Sequence, residues 1–178
     1  MHIDEQKIKE DIIDWLVNYI ECNHKFYDYK FPPCPFAKSV RLNNLLDIEP
    51  YTGGSISAFI NDKTSKLIHN KTHNVCILVF PAYMKWNFYI NYIIHSLNKN
   101  IIKDDFYAQY GTALKTSSIY PGLLNGKPYF IVIINKLSDV LSGHQSLLKT
   151  DYYDPWSKEH YHDVVVRRQK MVDKFRKK

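Results

Sequence analysis

Apolar residues recur at three- and four-residue spacing near the start of the chain. Ile8, Ile12, Trp15, Leu16, Tyr19 and Ile20 fall on one stripe, which predicts an amphipathic helix from Glu5 to Ile20 with Asp4 as its cap. Two runs have a different pattern. Val75–Phe80 and Tyr129–Ile134 are continuously apolar and bounded by polar residues or proline, the mark of strands buried on both faces. A turn at Asn125-Gly126-Lys127-Pro128 leads into the second run. Between the two, Met84 to Leu97 predicts a helix with Trp86, Ile90, Ile93, Ile94 and Leu97 on one face.

The remaining segments have weaker patterns. Asn23 to Pro35 is an aromatic, proline-rich loop. An extended segment is expected over Val40–Pro50, ending at a Gly53-Gly54 turn, and a second short strand over Ile56–Asn61. Lys63 to Asn74 is polar and suits a connection. So does Asn98 to Asn125, broken by Gly111, Pro121 and Gly122, with a short helix over Lys103–Tyr110. Asp154-Pro155 suits the cap and first turn of a last helix, with Val164, Val165, Val172 and Phe175 facing inward. The expected fold is α+β: one domain over residues 1–178, with a mostly antiparallel sheet of about four strands covered by N-terminal, central and C-terminal helices.

Composition narrows the class. With 45% hydrophobic and 24% charged residues, the chain has the balance of a globular protein with a packed core. No run is apolar enough to span a membrane, and no secretory signal opens the sequence. Three cysteines, Cys22, Cys34 and Cys76, form no evident pairing, so reduced thiols and a cytoplasmic location are expected. Cys76 lies inside the first apolar run and suits a buried small hydrophobe. The net charge of +6 is local: from Arg167 to Lys178 seven basic residues meet one acidic one, while the rest holds 17 of each sign. Nucleic-acid contact is therefore expected at most through the tail 167–178, whose positive charge also suits a helix C-terminus.

The chemistry centres on Phe31-Pro32-Pro33-Cys34-Pro35-Phe36-Ala37-Lys38. Three prolines around one cysteine restrict the backbone, so the thiol loses little freedom on binding or reacting. Lys38 and Arg41 follow at four and seven residues, placed to favour a thiolate from a helical turn beginning near Pro35. Cys34, Lys38 and Arg41 are the candidate catalytic residues, with Cys34 and His144 as candidate cofactor ligands. The alternative is a stiffened loop whose cysteine packs in the core. His144 is expected in the turn Ser142-Gly143-His144-Gln145, and His24 is a second candidate base for Cys34. His69 and His73 have helical metal-pair spacing within a stretch that suits a loop. Phe26, Tyr27, Tyr29, Phe31 and Phe36 suit either a planar ligand or a core cap.

Two resemblances attach to these residues. Asp14-Trp15-Leu16 followed by Cys34-Pro35-Phe36-Ala37-Lys38-Ser39-Val40-Arg41 resembles an uncharacterised bacterial family with a cysteine-proline-phenylalanine-alanine-lysine motif. Phe31-Pro32-Pro33-Cys34-Pro35-Phe36-Ala37, with Gly126-Lys127-Pro128-Tyr129-Phe130-Ile131-Val132 and His144, is similar to the YqcI/YcgG family, which includes haem-dependent N-hydroxylases. The second resemblance implies haem or iron bound at Cys34 and oxidative chemistry on a small polar substrate. The competing expectation is a non-catalytic accessory protein that binds a macromolecule through the aromatic loop and basic tail.

Overall fold

A computed structural model describes residues 4–81, 84, 88–110 and 129–176. The core is a four-stranded sheet in the order β1-β2-β4-β3, formed by β1 (Leu46–Pro50), β2 (Val75–Pro81), β3 (Phe106–Tyr110) and β4 (Tyr129–Lys136). β1 and β2 run parallel; the β2–β4 and β4–β3 pairs are antiparallel, with Leu78 opposite Val132 and Ala108 opposite Ile134. The fold is α+β with a mostly antiparallel sheet.

The two continuous apolar runs form the central pair, because only they have apolar side chains for both faces. Cys76, Leu78, Phe80, Phe130, Val132 and Ile134 face one layer of helices; Ile77, Val79 and Ile131 face the other. Helix α3 (Ile56–Asn70) and α4 (Phe88–Ile101) cover the first face, and α1 (Glu5–Trp15) the second. Asp4 caps α1 by accepting the Lys7 amide proton at 3.0 Å. A π-turn, Leu16–Ile20, continues α1 and keeps Leu16 and Ile20 buried.

Four expectations are corrected. Ile56–Asn61 is not a strand, nor Lys63–Asn74 a loop. One helix spans Ile56–Asn70, because Ile60, Thr64 and Leu67 share a buried stripe and the Thr64 hydroxyl donates to the Ile60 carbonyl at 2.7 Å. Val40–Pro50 is extended only from Leu46, since α2 (Ala37–Leu42) and a left-handed Asn44 come first. Lys103–Tyr110 is a strand from Phe106, entered by a single 3₁₀ turn and a left-handed Asp105.

The last helix starts later than expected. The side chain of Ser157, rather than Asp154, caps α6 (Lys158–Tyr161), accepting from the His160 amide at 3.1 Å. It continues through a π-turn, His162–Val166, into α7 (Arg167–Phe175). Helix α5 (Leu137–Leu147) follows β4 directly. The expected turn at 125–128 and the Trp86 contact lie outside the described residues.

Candidate functional site

The proline-bracketed loop is anchored from both sides. The Cys34 amide donates to Ile20 O at 3.2 Å at the end of the first helix, and the Cys34 carbonyl accepts from Ala37 N at 3.2 Å as α2 begins. Tyr152 donates its hydroxyl proton to Pro33 O at 2.6 Å, tying the loop to the segment after α5. Cys34 itself is half-buried against the cluster of Ile12, Trp15 and Leu16.

This setting keeps the thiol neutral. Burial pushes its pKa up; amides of Phe36 and Ala37 oppose the shift, and the nearby Glu21 charge adds to it. The expected tuning by cations meets a competing acid. Arg41 is held by Glu21 in a two-pronged pair, Nε to Oε1 and Nη2 to Oε2 at 2.7 Å each. Lys38 is exposed at the start of α2. Cys34 and Arg41 therefore share a neighbour, Glu21, that neutralises the cation and disfavours the thiolate.

His144 lies within α5, and the glycine beside it makes no turn. Gly143 is buried there because the Phe36 ring occupies its side-chain space: a Cβ would stand 2.8 Å from Phe36 Cε2. The Cys34 loop and the His144 helix are thus in direct contact through Phe36. His144 Nδ1 pairs with the Tyr153 hydroxyl at 2.9 Å, and burial together with Arg168 holds the imidazole below its ordinary pKa. His24 is committed locally, its Nδ1 accepting the Phe26 amide at 3.2 Å.

The aromatic loop folds back on residues 151–156. Tyr27 stacks on Tyr152 at 4.7 Å, Phe31 meets Tyr152 edge-on, and Trp156 Nε1 donates to the Tyr27 hydroxyl at 3.0 Å. Between these segments lies a groove of about 370 Å³ lined by Phe26, Tyr27, Phe31 and Pro155, with Asp28, Lys30, Asp151 and Asp154. Lys30 bridges Asp151 at 2.8 Å.

The basic tail is divided. Arg167, Lys170 and Lys174 are exposed, and Arg176 pairs with Asp105 at 3.3 Å, whereas Arg168 is buried. His69 is exposed on the last turn of α3, with its Nδ1 against Ser65 O at 2.7 Å, and His73 lies in the loop beyond. Among the described residues no group of three histidine, cysteine or acidic side chains is placed to hold a metal ion. No described helix is long and apolar enough to cross a membrane.

Sequence reasoning missed Tyr152 and Trp156, which meet Pro33 and Tyr27 from 119 and 129 residues downstream, the Tyr153 partner of His144, and the buried Arg168. A signal for Arg168 was present: Val165, Arg168 and Val172 share one helical stripe. Protein-family models, curated proteins and solved structures all give no match to this chain. Fold and site define an α+β domain with a groove between its aromatic loop and the segment after α5.

Proposed function

We propose that this chain is a non-catalytic binding domain whose groove takes a small organic cation. The observation that carries this reading is the groove itself: aromatic rings of Phe26, Tyr27 and Phe31 with acidic groups beside them. Aromatic faces and carboxylates together favour a cation over an anion. Lys30 bridges Asp151 and also lies within electrostatic reach of Asp28 and Asp154, so the ligand would meet these two carboxylates beside Lys30. Its volume of about 370 Å³ lies in the range of small-molecule sites. The neutral thiol of Cys34 supports a structural role for the motif, which fastens the first helix, α2 and Tyr152 together.

Titration with tetramethylammonium and with putrescine, followed by intrinsic fluorescence, tests the reading. A saturable response should weaken about tenfold in the Asp28→Asn/Asp154→Asn variant. No saturable response to either cation would remove the proposal.

The rival reading is haem- or iron-dependent oxidation through Cys34, with His144 as a second ligand. Against it, His144 Nδ1 is already paired with the Tyr153 hydroxyl and Arg41 with Glu21. The absorption spectrum of protein from iron-supplemented cells decides the matter. A haem band that disappears in Cys34→Ser would establish the rival; a colourless, folded product would end it.

A further inference from the structure

Arg168 is 7% exposed, yet the titratable groups acting on it among the described residues are tyrosines rather than carboxylates, and its Nε is buried without a hydrogen-bond partner. A guanidinium stays charged in a protein, and the buried Nε–H is a donor that no described group accepts. Native chains seldom keep such a group unless something else answers it. Four polar side chains from three elements and one turn lie within electrostatic reach: Tyr107 of β3, His144 of α5, Tyr153 of the turn after α5, and Tyr161 of α6. All four are half-buried.

The neighbours are built to donate. Tyr107, Tyr153 and Tyr161 carry hydroxyl protons; that of Tyr153 is free to donate when His144 Nδ1 supplies the proton of their 2.9 Å pair, and burial keeps Tyr107 and Tyr153 protonated, Tyr153 up to about 12. A second orphan stands in the same aromatic cluster: His160 Nε2 is buried without a partner, its ring 4.3 Å from Trp156, which packs on Tyr153 at 5.0 Å. The π-turn His162–Val166 immediately precedes Arg168, and such turns are frequent at functional sites.

We propose that Arg168, with the hydroxyls of Tyr107, Tyr153 and Tyr161, receives an oxyanion, the phosphate or carboxylate end of a small molecule. A planar guanidinium binds either group through two parallel hydrogen bonds, and the phenols supply further donors. This site uses neither Cys34 nor the groove carboxylates, so it stands or falls independently of the function proposed above.

The test is thermal unfolding of the full chain in sodium phosphate, sodium succinate and sodium chloride at matched ionic strength and pH. Phosphate or succinate should raise the midpoint by about 3 °C over chloride, and whichever does so names the class of oxyanion. Arg168→Met should melt no lower than the unaltered chain in chloride, since it removes a buried donor that no described group accepts, and should lose the anion response. Arg168→Lys, which keeps the charge but not the fork, should bind at least tenfold more weakly. No oxyanion-specific rise, a response retained in Arg168→Met or undiminished in Arg168→Lys, or a lower midpoint for Arg168→Met in chloride would each overturn the proposal.

Discussion

Glu21 decides more at the candidate site than its sequence position suggests. Its side chain is 4% exposed and is bound twice by Arg41 at 2.7 Å. Removing one member of a buried pair leaves the other unanswered; because Arg41 keeps some solvent contact, Glu21→Gln should cost about 2 kcal/mol. The same change removes a charge that disfavours the Cys34 thiolate. Cys34 should therefore react faster with iodoacetamide in Glu21→Gln than in the unaltered chain, measured by mass spectrometry with the exposed Cys22 as internal reference. An unchanged Cys34 rate would mean that burial and the Phe36 and Ala37 amides set its pKa without Glu21. The sequence placed Cys34, Lys38 and Arg41 near one another. It left Glu21 out, because twenty residues separate it from Arg41 and only the fold closes that distance.

At the level of elements, β3 shows how an edge is protected. Asn98, buried on α4, donates to the Ala108 carbonyl and accepts from its amide, both at 2.8 Å. One side chain thus takes the place of a neighbouring strand. Asn98→Leu should cost about 2–3 kcal/mol, because two buried backbone groups lose their partners at once. Urea unfolding measures this, and a cost under about 0.5 kcal/mol would show that the edge tolerates the loss. Such pairing explains why Lys103–Tyr110 was misread as a helix: its strand state depends on Asn98 and β4, which no local pattern reveals. The helix Ile56–Asn70 was misread for a related reason. Its buried stripe includes Thr64, whose polarity breaks the apolar period until its hydroxyl finds the Ile60 carbonyl.

For the whole molecule, the histidines couple stability to pH. His24, His144 and His160 all have pKa values lowered by burial from the ordinary 6.5. Each is harder to protonate in the folded chain than in the unfolded one. Their contribution is complete above pH 6.5 and is lost as pH falls through the folded values. The urea midpoint should fall between pH 7 and pH 5.5, above the range in which most carboxylates titrate. His144→Asn combined with His160→Asn should narrow that fall, and an equal fall in the double variant would assign it to other groups.

The sequence by itself determined the class of fold. Val75–Phe80 and Tyr129–Ile134 have the pattern of central strands, because apolar side chains on both faces need a covering layer on each side. Asp4 and the stripe through Ile12 and Leu16 likewise fixed the first helix by local physics. Tertiary structure decided what surrounds the chemistry. It set Phe36 into the space left by Gly143, joined Tyr152 to Pro33, gave Arg41 to Glu21, and buried the Arg168 Nε without a hydrogen-bond partner among the described residues. These are contacts between distant parts of the chain, whose strength depends on burial and charge at the meeting point, and periodicity along a single segment carries neither.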